Sequence, residues 1–385
     1  MLHTLTQYLQ TLENPEGLCR QLTGFILCRD QDGVPIYFAG NSAIVFRIQL
    51  HGKELRLRCY THPTAADLEA IYGEHLLRQE LFIYNDHLHG TWVDVVVEEW
   101  INGITLEEAI RGAVQRNDSA ELAHLATQFD TLATHLLSDN WAHGDLKPEN
   151  IIVDTLSSLQ LIDFDALYLP QFAGRESPEL GTAAFQHPAR SIDDFNASLD
   201  DYPSALLSTI LHALKLDPTL ANRYPDLDGW LLSPHQIQQG KSAAYDACLS
   251  LFATAGEAIS YQIATQLRSF SLQIPILAEL FAQRQQTTLP SNECPELFIE
   301  NGLCGYRTAN QVIISPRYAC GFEFSDNLAA VQIGSAWHFI DLTGQVVINA
   351  SDYDIIKPFK NGLARVHKQG QWLSMDTKGT VVKKD

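Results

Sequence analysis

The sequence predicts an α+β protein in which a region of strands precedes a mainly helical region, and a small all-β repeat region follows. Three observations favour this fold class. Alternating apolar residues dominate 25–60, mostly helical patterns follow a loop-like run after Pro170 and continue to about 285, and two segments near the C-terminus repeat each other with an offset of 35 residues. An α+β architecture typically has its strands and helices in separate stretches of the chain, whereas an α/β architecture alternates them. The order of stretches here is of the first kind.

The composition excludes several classes of function. The chain has 385 residues, enough for two domains, and a formal net charge of −20, which argues against general binding to nucleic acid or to anionic membranes. We see no apolar stretch of membrane-spanning length and no secretion signal. The seven cysteines form no CxxC pair, which favours reduced thiols and argues against a zinc site. We therefore expect a cytoplasmic protein.

Helical patterns occur in four places before the central part of the chain. Periodicity predicts a short amphipathic helix within 1–20, a helix over 65–82 and a helix over 119–138. Thr105 and Glu108 have the spacing of a capping box, so a further helix is expected to open there. We treat 1–24 as an N-terminal helical segment.

Strand patterns occupy the rest of the first hundred residues. Alternation predicts strands in GFILCRD, VPIYFAGNSAIVFRIQL, ELRLRCY and WVDVVVEEW. The HGK sequence between the second and third of these is a hairpin signal. This region is therefore expected to form an antiparallel sheet.

The C-terminal region is separated from the rest by a predicted linker over 286–297, which is polar and contains two prolines. Residues 298–385 contain an internal repeat of hairpin units, each with a glycine turn before a pair of valines. Pairs at the offset of 35 residues include Leu328 with Leu363, Val331 with Val366, Trp337 with Trp372, Asp341 with Asp376 and Gly344 with Gly379. Such units bury a continuous core only by stacking, and we expect the two tryptophans to belong to that core.

The stretch AHGDLKPENIIVDTLSSLQLIDFDALYLP contains the main candidate site. IIVD and LQLID resemble two strands of a hairpin, which would bring Asn150 and Asp163 together at its open end. One oxygen from each suits Mg²⁺, with nucleotide phosphates and water as the other ligands. Asp145 is then a carboxylate able to accept a hydroxyl proton, and Lys147 a point charge for a moving phosphoryl group. These residues are the parts that phosphoryl transfer needs.

The same stretch resembles the catalytic loop of protein kinases, HRDLKPEN, followed by the metal-binding DFG. Other segments resemble kinase segments in the same order: GNSAIVF the glycine-rich loop, LRLRC the strand of the phosphate-pairing lysine, VVVEEWINGITLEE the hinge, and GTAAFQHPAR the end of the activation segment. More narrowly, the chain looks like bacterial serine/threonine kinase-like proteins, some of which carry WG repeats. The resemblance implies a two-lobed kinase fold over 25–285, with its lobes at about 25–98 and 99–285, and WG-like repeats over 298–385.

The resemblance also implies residues that bind ATP. Gly40 is the glycine kept in the glycine-rich loop, where Ser42 and Val45 stand at the positions of later glycines. Glu99 and Ile101 lie at the hinge, where backbone groups would contact adenine.

Arg58 stands at the position of the phosphate-pairing lysine and would grip the α- and β-phosphates. Its expected partner is a helix glutamate. Glu74 fits best by distance along the chain, and Glu69 and Glu80 are alternatives.

Four further positions near the loop have expected roles. Gly144 replaces the arginine that reads a phosphorylated activation segment in many kinases, so control by that route is not expected. His143 is expected to pack and hydrogen-bond within the loop, and Asp200 to brace it. Asp165 replaces the glycine of DFG. It is either a contact for a second cation or, as we favour, a solvent-facing acid.

The predicted function is therefore an ATP- and Mg²⁺-dependent phosphotransferase, a serine/threonine protein kinase whose repeats bind a protein partner. Two alternatives remain open: a nucleotide-binding pseudokinase that acts as a scaffold, and a small-molecule hydroxyl kinase, which the HGD sequence favours. No nucleic-acid or membrane partner is expected.

Overall fold

The computed structural model describes residues 3–40, 42–85, 89–155, 158–224, 230–288, 294–308 and 312–384. Within these ranges the helices are α1 Leu5–Glu13, α2 Leu68–Tyr72, α3 Leu106–Arg116, α4 Ser119–Ser138, α5 Asp201–Leu216, α6 Leu220–Arg223, α7 Pro234–Gln238, α8 Ala243–Ala255, α9 Ala258–Gln266 and α10 Leu277–Thr288.

The strands fall into three groups along the chain. The first group is β1 Ile26–Leu27, β2 Tyr37–Ala39, β3 Ala43–Leu50, β4 Lys53–Tyr60, β5 Leu76–Tyr84 and β6 Gly90–Glu99. The second is β7 Gly103–Thr105, β8 Ile151–Asp154 and β9 Leu159–Leu161. The third is β10 Glu296–Glu300, β11 Leu303–Arg307, β12 Val312–Tyr318, β13 Cys320–Gly321, β14 Ala329–Ile333, β15 Ala336–Ile340, β16 Val346–Asn349, β17 Ile355–Ile356, β18 Leu363–Lys368, β19 Gln371–Asp376 and β20 Val381–Lys384.

The first six strands form one antiparallel sheet in the order β1-β3-β4-β6-β5, with β2 paired to β3. Helix α1 covers one face of this sheet. Its Tyr8 and Leu12 are buried in the same cluster as Phe46 and Leu57, because alternate residues of each strand point to that face. The N-terminal segment therefore shares the core of the sheet.

The helix predicted over 65–82 is wrong in its second half. Helix α2 ends at Tyr72, a short 3₁₀ turn follows, and Leu76–Tyr84 is strand β5. Leu81 and Ile83 of this strand are fully buried in the core of the sheet, and the strand pairs with β6. Pairing with β6, the next strand along the chain, outweighs the local helical pattern, because a strand at this edge of the sheet buries both side chains and pairs its backbone N–H and C=O groups.

The second region is mainly helical and has its own core. The capping box at Thr105 is confirmed: its Oγ1 accepts the Glu108 N–H at 3.1 Å, and Glu108 Oε2 accepts the Thr105 N–H at 2.9 Å. The helix over 119–138 is confirmed as α4. Helix α5 is buried along nearly its whole length and forms the centre of this core. The mixed helix and strand content of an α+β protein is thus observed.

The C-terminal region contains three small antiparallel sheets, β10–β12, β13–β16 and β17–β20. The internal repeat is present in the register of the last two. Ala329 pairs with Ile340 and Ala364 pairs with Met375, which are the same pairing 35 residues apart. The two sheets share one core cluster, against which Trp337 packs. The repeats therefore stack, as their sequence predicts.

The boundary between the helical and repeat regions is narrower than the linker predicted over 286–297. Helix α10 continues to Thr288 and β10 begins at Glu296; 289–293 lie outside the described residues. The repeat region touches the helical region where Arg317 Nη1 lies 2.9 Å from His124 Nε2 on α4. Over the described ranges, no helix combines the length and the apolar character needed to cross a bilayer.

Candidate active site

A cleft of about 590 Å³ lies between the first sheet and the helical region. Strands β2, β3 and β4 and the segment after β6 line one wall. The loop before β8, the residues after β9 and the segment 179–182 line the other. This volume is in the range of sites for small molecules and nucleotides.

Asp145 lies at the centre of the second wall and is held in a fixed orientation. Its Oδ1 accepts the backbone N–H of Thr182 at 2.6 Å, and its Oδ2 lies 2.9 Å from Lys147 Nζ. Asn150 Nδ2 donates to the Asp145 carbonyl at 2.9 Å. The structure therefore brings together three of the residues that the sequence grouped by spacing.

The charge state of Asp145 follows from these contacts. Burial alone would favour the neutral acid, but the ammonium of Lys147 and the hydrogen bond from the Thr182 backbone outweigh it, so the pKa of Asp145 is lowered below its ordinary value. The carboxylate is ionised at neutral pH and can accept a proton or hold a hydroxyl group.

The loop that carries Asp145 is braced from behind by Asp200. The carboxylate of Asp200 accepts the backbone N–H groups of His143, at 2.5 Å, and Gly144, at 3.0 Å. His143 is fully buried, and its Nε2 lies 2.9 Å from the Ile162 carbonyl. These contacts agree with the structural roles expected for His143 and Asp200.

Gly144 has a backbone conformation that explains why no arginine stands there. Its φ is +80°, and a Cβ atom on it would lie 2.1 Å from the carbonyl oxygen of Ala166. Any side chain at this position would be strained and would clash with the segment after β9.

Asn150 and Asp163 are brought together by the β8–β9 hairpin, as the sequence predicts. Ile151 pairs with Leu161, and the Ile162 N–H donates to the Asn150 carbonyl at 2.9 Å. Asp163 has a left-handed backbone, with φ of +69°. In the part of the chain that the structure describes, no cluster of three or more His, Cys, Asp or Glu could hold a metal. A cation here would therefore need oxygens from a bound ligand as well.

Arg58 reaches across the cleft from β4 to two carboxylates. Its Nη2 lies 2.6 Å from Asp163 Oδ1 and 2.5 Å from Asp165 Oδ2. The hydroxyls of Tyr60 and Tyr72 donate to Asp165 Oδ1 at 2.9 and 2.8 Å. Burial opposes the guanidinium charge, but the two carboxylates outweigh it and raise the pKa of Arg58 above its ordinary value.

The prediction that Glu74, Glu69 or Glu80 pairs with Arg58 is wrong. Glu74 is exposed, Glu69 lies 3.0 Å from Arg78, and Glu80 is buried against backbone amides of the N-terminal segment. Helix α2 ends before Glu74 and cannot present it to the cleft. Among the described residues, the carboxylates that contact Arg58 are those of Asp163 and Asp165.

The prediction that Asp165 faces solvent is also wrong, because only 2% of its side chain is exposed. It takes the place of the helix glutamate because the 3₁₀ turn Phe164–Ala166 directs it towards β4 and α2.

The first wall agrees with most of the remaining predictions. Gly40, Ser42, Val45 and Ile101 all line the cleft. Glu99 does not line it, and its side chain is 83% exposed on the other face of β6. Only its backbone could take the hinge role predicted for it.

The site residues that the sequence did not predict include Thr182, Arg56 and Glu98. Thr182 donates its N–H to Asp145, and its Oγ1 accepts from Lys147 Nζ at 2.8 Å. Arg56 and Glu98 line the cleft as an ion pair. The sequence does contain a signal for Arg56. It lies two residues before Arg58 on the same strand, and residues two apart on a strand point to the same face. Thr182 had no comparable signal beyond its place in the GTAAFQHPAR motif.

Comparison with known proteins identifies the C-terminal region. The family model of the WG containing repeat matches residues 306–337 and 339–372. The two matched stretches end at Trp337 and Trp372, and the region carries WG repeats as the sequence resemblance implied. No curated protein matches the chain.

Proposed function

We propose that this protein has a two-lobed kinase-like fold and transfers the terminal phosphoryl group of a nucleoside triphosphate to a hydroxyl group, with Mg²⁺. The observation that carries the proposal is the convergence of Asp145, Lys147, Asn150 and Asp163 on one wall of a cleft whose other wall presents Arg58. Positioning and charge neutralisation are the main requirements of phosphoryl transfer, and this set can supply both.

The residues of the second wall fit a divalent cation. Asn150 directs its Nδ2 to Asp145, so its carbonyl oxygen is the atom left for a cation. Asp163 is 36% exposed at the cleft and offers a carboxylate. Mg²⁺ held by these two oxygens would neutralise charge on the phosphates of the nucleotide.

Each protein group then has a defined role. Asp145 orients the acceptor hydroxyl and takes its proton. Its Oδ2 already contacts Lys147, Asn150 and the Thr182 hydroxyl, whereas its Oδ1 accepts the Thr182 N–H and keeps a second acceptor position. Lys147 places its charge beside the moving phosphoryl group. Arg58 binds phosphate and stays anchored by Asp165 when Asp163 turns to the cation.

The acceptor and donor classes rest on the sequence resemblance. It implies ATP as the donor and a protein serine or threonine as the acceptor. Thr182, within the segment that resembles the end of a kinase activation segment, contacts both Asp145 and Lys147. This contact supports a protein acceptor that lies along the same segment.

The WG repeats are proposed to bind a protein partner. Their sheets expose apolar side chains, including Ile299, Val312, Val347 and Ile355. An exposed apolar surface on small sheets favours a protein partner, and the net charge of −20 disfavours a nucleic acid.

A second candidate function is a nucleotide-binding scaffold without turnover. The contact between Arg58 and Asp163 favours it, because the guanidinium occupies the carboxylate that a cation would need. Under this alternative the nucleotide would bind to Arg58 without a productive metal position.

Phosphate transfer separates the two candidates. We would incubate the protein with labelled nucleoside triphosphate and Mg²⁺, alone and with a cell lysate, and identify products by mass spectrometry. Asp145→Asn should lower transfer by about 10²–10⁴-fold, the usual contribution of a placed base. Asp246→Asn, at an exposed ion pair with Arg268, is the control and should keep wild-type activity. Equal trace activity in wild type and Asp145→Asn would remove the transferase proposal.

A further inference from the structure

The end of the cleft that lies away from Asp163 contains an ion pair. Arg56 Nη2 lies 2.9 Å from Glu98 Oε1, and both residues line the cleft. They are cross-strand neighbours on β4 and β6. Their side chains are 15% and 20% exposed, so the pair is largely shielded from solvent. A bound base would cover the part that remains exposed.

The position of this pair relative to Arg58 indicates which part of a nucleotide it would meet. Arg56 and Arg58 are two residues apart on one strand, so they face the same side about 6.7 Å apart. Arg58 lies at the phosphate end, beside Asp163. Arg56 and Glu98 therefore lie one step towards Ile101, where the hinge prediction places the base.

Apolar side chains line both walls of the cleft and would contact the faces of a flat ring. Val45 lies on the sheet wall, and Ile152 and Ile162 lie on the opposite wall. A base stacked between them would have its edge directed at Arg56 and Glu98. The charged pair, rather than the apolar faces, would then decide which base fits, because stacking on apolar side chains tolerates every base.

Arg56 has unused hydrogen-bonding capacity at this position. A guanidinium carries five N–H groups, and its shortest contact with Glu98 involves one terminal nitrogen, Nη2. Its Nε is buried, so the terminal nitrogens are the donors that a ligand could reach. The Glu98 carboxylate has about four acceptor positions, and its shortest contact with Arg56 is made by Oε1. The pair can therefore offer several donors and several acceptors to a ligand at once.

We infer that this site, if the proposed function holds, prefers a guanine nucleotide to the adenine nucleotide that the sequence resemblance implies, and that Arg56 and Glu98 determine this preference. Guanine presents an acceptor, O6, next to two donors, N1–H and the 2-amino group. Arg56 would donate to O6, and Glu98 would accept from N1–H and the 2-amino group. Arginine is a favourable partner for the O6 and N7 atoms of guanine.

Adenine does not match the same pair at either its 6-amino group or its N1 atom. Its 6-amino group would place a donor against the donors of Arg56, and its N1 would place a lone pair against the carboxylate of Glu98. A site built to hydrogen-bond one edge rejects an edge that leaves its buried groups unpaired. We expect guanine nucleotides to bind about 10- to 100-fold more tightly.

The test is calorimetric binding of GDP and ADP, each with Mg²⁺, to the full chain. Wild type should bind GDP about 10- to 100-fold more tightly than ADP. Glu98→Gln, which replaces one acceptor oxygen by a donor, should lose this preference, and Arg56→Met should reduce it. Glu13→Gln is the matched control, because Glu13 forms an exposed pair with Arg29; this variant should retain the preference.

A base analogue tests the same inference on wild-type protein, in case either variant fails to fold. Inosine diphosphate keeps O6 and N1–H but lacks the 2-amino group, so its affinity should fall between those of GDP and ADP. Equal or tighter binding of ADP would overturn the guanine inference and leave the proposed function standing. Binding of neither nucleotide would overturn both.

Discussion

The two walls of the cleft obtain their key contacts in different ways. On the wall that carries Asp145, the contacts to Lys147 and Asn150 join residues two and five positions apart. On the wall that carries Arg58, the partners are Asp163 and Asp165, which lie 105 and 107 positions away. The first kind of contact can be read from a motif. The second depends on how the sheet and the helical region meet, so a motif that resembles a known family can still be supported by a different partner.

The largest expected effect tests the distant contact. Asp165→Ala leaves Arg58 buried with Asp163 as its remaining carboxylate and removes the acceptor of two tyrosine hydroxyls. Loss of one partner of a buried ion pair typically costs about 3–5 kcal/mol. We expect the free energy of unfolding to fall by about 3 kcal/mol, measured by chemical denaturation.

The matched control for this prediction is Glu74→Ala, at the residue that the sequence offered as the partner. Its side chain is exposed, so the change should stay within about 0.5 kcal/mol. A larger loss for Glu74→Ala than for Asp165→Ala would show that the sequence-based pairing is the true one.

The second prediction tests the locally built wall. Gly144→Ala introduces a Cβ 2.1 Å from the Ala166 carbonyl oxygen at a φ of +80°. Strain and clash together should cost about 2–3 kcal/mol in the free energy of unfolding. Gly174→Ala has nearly the same φ, +82°, with no atom within 4 Å of the new Cβ. It should cost only about 1 kcal/mol, and equal losses would mean that the loop moves freely to accommodate a side chain.

The third prediction concerns Asp163, where the two walls meet. A ligand at 100 times its Kd stabilises the native state by about 2.7 kcal/mol. Asp163→Asn keeps the shape of the side chain but removes its charge. If Asp163 holds the cation, Mg²⁺ should no longer add to the stabilisation of the folded variant by nucleotide. Melting curves with nucleotide, in Mg²⁺ or EDTA, measure this. A full Mg²⁺-dependent shift in the variant would place the cation elsewhere.

The smallest effect concerns Asp201, the residue after Asp200, and depends on pH. Burial raises the pKa of Asp201 to about 6, and neighbouring Asp200 contributes. Between pH 4 and 6 the folded protein therefore holds a proton that the unfolded chain releases, so this group makes stability fall as pH rises through that window. Above it, the buried charge destabilises the fold.

Asp201→Asn removes this charge and still accepts the Ile274 N–H through its carbonyl oxygen. We expect the variant to be more stable than wild type by about 1–2 kcal/mol at pH 8 and nearly equal to it at pH 4. Denaturation at the two pH values measures the difference. An advantage of the same size at both would show that the titration of Asp201 is not its cause.

The sequence by itself determined the features whose contacts are short-range. The capping box at Thr105, helix α4, the β8–β9 hairpin and the 35-residue repeat all follow from patterns within a few residues or one repeat unit. The grouping of Asp145, Lys147 and Asn150 belongs to the same class, because a tight loop before a hairpin leaves few ways to arrange them.

Tertiary structure alone decided the features that depend on which distant segments meet. Strand β5 has a helical pattern but forms a strand, because the core that it shares with α1 and β3 accepts Leu81 and Ile83 only from an extended segment paired with β6. Arg58 takes Asp165 because α2 ends before Glu74 and a 3₁₀ turn delivers another carboxylate. Thr182 reaches Asp145 across 37 positions. A buried charge is stable only when it has a partner. The residues next to it in the sequence do not specify which distant residue that partner is.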